Sequence, residues 1–115
     1  MSPDGSLPGR WSSAVSIALN VARQHCRNTF DPHVILAVFV YFRTNDTARR
    51  IYLAATGAAT GFEEDQLGKS ILNPLIGREV CRMLGAAKTG VEVDIDGEFI
   101  RSYSVLEAPL WRATR

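Results

Sequence analysis

Near the C-terminus, two stretches of alternating apolar residues flank Asp96-Gly97, and this arrangement constrains the fold more than any other feature of the sequence. Asp-Gly between alternating runs is typical of a tight turn that joins two antiparallel strands. Residues 91–95 alternate before the turn, and residues 99–105 follow it. A two-residue loop places Val93 opposite Ile100, which is a favourable cross-strand pair. The sequence therefore predicts a β-hairpin in this region.

The clearest helix start is Asn73-Pro74, because asparagine is a favoured N-cap and proline fits the first helical position. The segment that follows places Ile76, Val80 and Leu84 on one face, at spacings of four residues. A shorter helix is predicted just before it, within residues 60–72, because acidic residues at its start suit the helix dipole. These two helices lead directly into the predicted hairpin.

Residues 34–42 form the longest apolar run of the chain, and two structures are compatible with it. Because the run is apolar on every side, periodicity does not separate a buried helix from a central strand. The β-branched and aromatic residues favour a strand, whereas Asp31-Pro32 is typical of a helix start with Asp31 as the N-cap. We interpret the segment as a helix.

Two further helices are predicted from caps and apolar spacing. The first starts at Ser12 or Ser13 and runs to about residue 27. The other covers residues 47–56, and the small residues 57–61 are predicted to form a loop behind it. Together the segments predict a mainly α fold of about five helices with a C-terminal β-hairpin.

The composition of this 115-residue chain fits one globular domain. Hydrophobic residues make up 46% and charged residues 22%, which supplies a core and argues against disorder. Residues 1–10 are polar and rich in Pro and Gly, so we expect a disordered arm ahead of a single domain over residues 11–115. The apolar runs are far shorter than the roughly 20 residues of a membrane span, and no signal peptide is recognisable. We expect a cytoplasmic protein without a membrane segment.

A short helix, a longer helix and a hairpin follow one another between residues 60 and 105. The residues that define this pattern are Leu67, Ile71, Pro74, Val80, Leu84, Gly90, Val91, Val93 and the Asp96-Gly97 turn. The pattern resembles the winged helix-turn-helix of MarR-like bacterial transcriptional regulators. The resemblance implies a winged-helix fold with the hairpin as a two-stranded wing, and a regulator of transcription that binds duplex DNA as a homodimer.

Four residues are the candidate DNA contacts. The resemblance implies that the helix after Asn73 enters the major groove, so its polar side chains would meet base edges and phosphates. Arg78 and Arg82 are four residues apart and share one helix face, and an arginine can bind a guanine edge or neutralise a phosphate. Asn73 and Lys69 complete the predicted site. The alternative is that these residues form an ordinary solvated face.

The hairpin carries charges that disagree with the winged-helix pattern. Its residues include Glu92, Asp94, Asp96 and Glu98, whereas a wing that touches phosphate normally carries arginine or lysine. The net charge of the whole chain, +1, also gives no sign of a nucleic-acid binder. The alternative function is therefore a protein–protein interaction module that uses the acidic hairpin or the N-terminal helix.

If the protein forms a homodimer, two segments are the candidates for its interface. The candidates come from the stripe on the first helix and from the C-terminal end: Trp11, Val15, Leu19, Leu110 and Trp111. The alternative is that both segments close the core of the monomer, as a domain of this size often requires.

No catalytic or metal-binding pattern is recognisable. His25 and Cys26 are adjacent, so their side chains diverge on a helix and lack ligand spacing. Cys26 and Cys81 are interpreted as small apolar residues rather than a disulfide. The sequence predicts no enzyme, metal or cofactor. A small-ligand or enzymatic α+β domain is the third alternative, and it requires residues 34–42 to be a strand.

Overall fold

The computed structural model describes residues 9–60 and 66–108, which form four helices followed by an antiparallel hairpin. The mainly α class with a C-terminal hairpin is confirmed, although the described residues hold four helices rather than about five. The elements are α1 (Gly9–His25), α2 (Val34–Thr44), α3 (Asp46–Thr60), α4 (Gln66–Leu84), β1 (Ala87–Asp94) and β2 (Ser102–Glu107).

Helix α1 packs against the other three helices through small side chains. Ala14, Ala18 and Ala22 follow one another at intervals of four, and all three are fully buried. Such a stripe lets neighbouring helices approach closely. The helix begins at Gly9, so the predicted start at Ser12 or Ser13 is wrong. Of the arm predicted for residues 1–10, residues 1–8 lie outside the described residues, and residues 9 and 10 belong to α1.

The apolar run of residues 34–42 lies within helix α2, so the helix interpretation is confirmed and the strand alternative is wrong. One side of α2 is buried in the core, including Val34, Val38 and Phe42, each 0% exposed. The N-cap is His33 rather than Asp31, and it makes no side-chain capping bond. Instead, Asp31 Oδ1 accepts a hydrogen bond from the His33 backbone N–H at 2.8 Å. Asp31 thus shapes the turn ahead of α2.

Helix α3 starts at a genuine side-chain cap and runs further than its sequence predicts. Asn45 Oδ1 accepts a hydrogen bond from the Ala48 N–H at 3.0 Å, which satisfies one of the free donors of the first turn. The predicted loop over residues 57–61 is wrong for residues 57–60, which belong to the helix. Two of these residues are alanines, the residue type with the highest helix propensity.

Helix α4 is continuous through Pro74, so the predicted break between a short helix and a second helix at Asn73-Pro74 is wrong. An interior proline costs roughly 3 kcal/mol. This cost is offset by burial, because Leu72 and Ile76 on either side of Pro74 are both 0% exposed. The ring of Pro74 itself is solvent-exposed, where it displaces no packing. Consequently α4 is one uninterrupted helix from Gln66 to Leu84, and its solvent-exposed side forms a single outer face.

The hairpin has a different register and a longer loop than its sequence predicts. Val93 pairs with Tyr103 instead of Ile100, and residues 95–101 connect the two strands. The predicted two-residue turn at Asp96-Gly97 is therefore wrong. Phe99 and Ile100 explain the difference, because both are buried and draw the loop back onto the helices. Burying these two side chains outweighs the turn preference of Asp-Gly.

An aromatic cluster lies where α2, α3 and the hairpin loop meet. The ring of Tyr52, which is fully buried, stacks on Phe99 with centroids 4.3 Å apart. Phe42 and Phe39 contact the same tyrosine at 5.2 and 6.2 Å between centroids. Aromatic pairs at these separations contribute beyond simple area burial. The cluster joins the hairpin loop to the helical core.

The base of the hairpin is fixed at a second point. The Leu106 backbone N–H donates to the carbonyl oxygen of Pro32 at 3.0 Å. A hydrogen bond of 2.8 Å also joins Nδ1 of His33 and the hydroxyl of Tyr103. Because both the base and the loop contact the helices, the hairpin forms part of the core. Within residues 9–60 and 66–108, none of the helices combines the length and apolarity needed to cross a membrane.

Candidate nucleic-acid interface

The outer face of α4 carries the two arginines that were predicted to contact DNA. The side chains of Arg78 and Arg82 are 65% and 71% exposed. Glu79 lies between them, with Oε2 at 3.5 Å from Arg78 Nε and 3.4 Å from Arg82 Nη1. Ion pairs this exposed contribute little to stability. One carboxylate therefore faces two arginines, and the face keeps a local positive charge.

Lys69 lies on the other side of the helix. It precedes Arg78 by nine residues, about two and a half turns, so the two side chains point in opposite directions. Lys69 Nζ is 5.7 Å from the centroid of the Phe99 ring, and Arg49 Cζ is 5.2 Å from the same centroid. Both cations thus flank an aromatic ring of the hairpin loop. One DNA groove cannot receive Lys69 and Arg78 together.

Asn73 is half-buried, and its side-chain amide is used inside the protein. Its Oδ1 accepts a hydrogen bond from the Tyr52 hydroxyl at 2.7 Å, and its Nδ2 donates to the Phe99 carbonyl oxygen at 2.9 Å. The predicted N-cap role of Asn73 is wrong, because α4 has already run for two turns at that position. Its placement gives no support to a contact with base edges. Asn73 instead joins α3, α4 and the hairpin loop.

Two of the hairpin carboxylates are engaged within the protein. Glu98 forms a bidentate ion pair with Arg49, one of whose hydrogen bonds measures 2.8 Å. The Arg49 guanidinium holds the pKa of the Glu98 carboxyl below its usual value. Glu92 accepts hydrogen bonds from the hydroxyls of Ser102 and Ser104 on the opposite strand. The acidic character of the hairpin is thus partly compensated inside the fold.

A groove of about 210 Å³ separates α4 from the hairpin, and no sequence pattern predicts it directly. Its floor is apolar, and its rim contains charged and hydroxyl side chains. Gly77 and Cys81 form part of the α4 wall. The remaining lining residues are Ile35, Phe39, Asn73, Pro74, Lys88, Glu92, Ile100, Ser102, Tyr103, Ser104 and Leu106. The one feature of the sequence that indicates this groove is Gly77, a glycine in the middle of a helix.

Replacing Gly77 with alanine is expected to raise the free energy of unfolding by about 0.5–1 kcal/mol, because alanine is the better helix former. A Cβ at Gly77 meets nothing within 4 Å, so no clash opposes this gain. Gly97→Ala is the contrasting variant, since a Cβ there would lie 2.5 Å from the Ile100 carbonyl oxygen. Urea denaturation of both variants tests the pair. An unchanged or lower stability of Gly77→Ala would contradict the expectation.

The predicted dimer residues on α1 mainly serve the monomer. Val15 is 5% exposed, and Trp11 Nε1 donates a hydrogen bond to the Ala55 carbonyl oxygen at 3.1 Å. Leu19 is half-buried and lines a shallow surface groove on α1. Leu110 and Trp111 lie outside the described residues. The dimer therefore stays a prediction, and of the α1 candidates Leu19 is the best placed for it.

The end of α1 and the turn that follows it contain His25 and Cys26, two residue types that can bind metal ions. His25 Nε2 and Asp31 Oδ2 are 2.6 Å apart. Burial raises the pKa of Asp31, but the contact with His25 and the hydrogen bond from the His33 backbone N–H outweigh it, so the pKa lies below its usual value. Cys26 is buried and Cys81 is half-buried, and both are free thiols. In the described part of the chain, no group of three or more His, Cys, Asp or Glu residues is arranged to hold a metal ion.

Comparisons with known proteins add no family to these observations. The chain matches no protein-family model, no curated protein and no solved structure. The functional argument therefore depends on the geometry of α4 and the hairpin.

Proposed function

We propose that this protein binds duplex DNA as a winged-helix regulator of transcription, with the outer face of α4 as its contact surface. The observation that carries the proposal is the exposure of Arg78 and Arg82 on one face of a helix that leads directly into a hairpin. Arginines on such a face can bind guanine edges or neutralise phosphates. Lys69 and Asn73 are left out of the proposed contact surface because of their placement.

The rest of the outer face is compatible with this role. Ile71 and Pro74 are exposed and lie on the same side of the helix as the two arginines. An exposed side chain of this kind can contact the sugar or a thymine methyl group. The ion pair of Glu98 with Arg49 also compensates one carboxylate charge of the hairpin loop, which reduces the repulsion between the loop and phosphates.

The test is the affinity for a pool of duplex oligonucleotides at low salt, measured by fluorescence anisotropy. The variant Arg78→Ala/Arg82→Ala is expected to bind at least about 30-fold more weakly, since each arginine contact is worth about 1–3 kcal/mol. If both arginines contact phosphates, the slope of log affinity against log salt also falls by about two. Glu79→Gln is expected to bind more tightly, because it releases both arginines from a shared carboxylate.

The matched control is Arg27→Ala/Arg43→Ala, which removes the same charge from two exposed positions outside α4 and the hairpin. This control is expected to retain most of the affinity of the parent protein. Equal losses in the two double variants would mean that binding depends on total charge and that the α4 face is not the site. If the parent protein does not bind DNA, the proposed function is wrong.

A protein–protein interaction module is the second candidate, and the exposed surface of β1 favours it. Val91 is 55% exposed, and Asp94 on the same strand is also exposed. A strand that exposes both apolar and acidic side chains suits a partner with basic and apolar groups. Failure to bind DNA at low salt, together with intact folding, would favour this second function.

A further inference from the structure

The groove between α4 and the hairpin has the chemistry of a small-ligand site. Its floor includes the buried side chains of Phe39, Tyr103 and Leu106. Its volume of about 210 Å³ corresponds to roughly seven waters at about 30 Å³ each, which suits a small molecule. Binding sites for small molecules generally combine an apolar floor with a few convergent polar groups.

Two opposite charges line this groove without neutralising each other. Within the described residues no ion pair joins Lys88 or Glu92 to any other side chain. Glu92 is held instead by two hydroxyls, those of Ser102 and Ser104. Hydrogen bonds from hydroxyls orient a carboxylate without cancelling its charge. The groove therefore presents an oriented anion and a separate cation above an apolar floor.

Gly77 gives an independent reason to regard the groove as a site. Its φ is not positive, and a side chain at this position would meet nothing within 4 Å. Neither backbone conformation nor packing requires a glycine, which destabilises the middle of a helix relative to alanine. The missing side chain does have one consequence, because it leaves the α4 wall of the groove open.

We propose that this groove binds a small zwitterion with an apolar body, of the amino-acid type. The ammonium group of the ligand pairs with the Glu92 carboxylate, its carboxylate pairs with the Lys88 ammonium, and its apolar body lies on the floor. Charge-assisted contacts at both ends fix the orientation of the ligand. This site goes beyond the proposed DNA function and does not depend on it.

The experiment uses L-leucine as the probe and the full chain as the receptor. Calorimetric titration is expected to give saturable one-to-one binding with a dissociation constant of about 1 mM or tighter. Isoamylamine and 4-methylpentanoate, which each lack one charge, are expected to bind at least about tenfold more weakly, since charge-assisted hydrogen bonds are the strong ones. Equal binding of all three compounds, or no saturable binding of leucine, would overturn the proposal.

Cys81 provides a second readout at the groove wall. Burial raises the pKa of its thiol, so alkylation is followed at mildly alkaline pH. Leucine is expected to slow the alkylation of Cys81, and peptide mapping separates it from Cys26, which is only 3% exposed. Unchanged alkylation of Cys81 at saturating leucine would place the ligand elsewhere and contradict the proposal.

Two variants locate the ligand. Gly77→Leu fills the groove and is expected to abolish binding, and Glu92→Gln is expected to weaken it by at least about tenfold through loss of the ionic contact. Glu107→Gln is the control, because it removes an exposed carboxylate that does not line the groove. Glu92→Gln changes an exposed side chain, so it keeps the test valid if Gly77→Leu fails to fold. Undiminished binding in Glu92→Gln would contradict the proposal.

Discussion

Replacing Phe99 with alanine is expected to lower the free energy of unfolding by about 3–5 kcal/mol, the usual cost of truncating a buried aromatic residue. Phe99 is 6% exposed, and its ring stacks on Tyr52. The cations of Arg49 and Lys69 also lie next to this ring. The truncation therefore leaves a cavity beside Tyr52 and removes two cation–π contacts at once.

Urea denaturation followed by circular dichroism measures this loss, because a domain of this size is expected to unfold in two states. Val91→Ala is the matched control. It also truncates an apolar side chain of the hairpin region, but Val91 is 55% exposed, so its change should stay within about 0.5 kcal/mol. A loss below about 1 kcal/mol in Phe99→Ala would mean that the hairpin loop is not anchored by this ring.

The same contact explains why the sequence predicts the hairpin but not its register. Alternation and Asp96-Gly97 are local signals, and they correctly indicate two antiparallel strands. The burial of Phe99 and Ile100 is a tertiary effect, and it lengthens the loop at the expense of the tight turn. No local pattern reports the position of Tyr52, against which Phe99 packs.

Helix α4 shows a similar conflict between local and tertiary preferences. Asn73-Pro74 is a strong local signal for a helix start, yet the helix continues through it because the buried residues on both sides require the same orientation. By contrast, Asp31-Pro32 correctly indicated that α2 is a helix, although its N-cap is His33. A Pro-containing cap is therefore informative about the type of element and less so about its boundary.

For the candidate site too, local spacing predicts some positions correctly, whereas others depend on tertiary packing. Surface positions follow from helical spacing alone, so Arg78 and Arg82 share an exposed face as predicted. Lys69 and Asn73 contact the hairpin loop, and this contact depends on how distant segments pack. The groove next to α4 also involves two distant segments. Sequence patterns gave only one indirect sign of it, the glycine at position 77.

Replacing Asn73 with alanine is expected to lower the free energy of unfolding by about 1–3 kcal/mol, because it removes two hydrogen bonds that join α4 to α3 and to the hairpin loop. The Tyr52 hydroxyl belongs to a fully buried residue and loses its acceptor on Asn73. The Phe99 carbonyl oxygen loses its donor at the same time. A contact with DNA would predict a different result, namely weaker binding with little change in stability.

A double-mutant cycle with Tyr52→Phe separates the two hydrogen bonds. Tyr52→Phe alone removes the donor, and the half-buried Asn73 amide remains accessible to water, so a loss of only about 0.5–1.5 kcal/mol is expected. The combined variant should lose less than the sum of the two single losses, with a coupling of about 0.5–3 kcal/mol, because each single variant already removes the Tyr52–Asn73 hydrogen bond. Additive losses would show that the Tyr52–Asn73 bond does not stabilise the fold. In that case the amide of Asn73 would act only on the hairpin loop, through the Phe99 carbonyl.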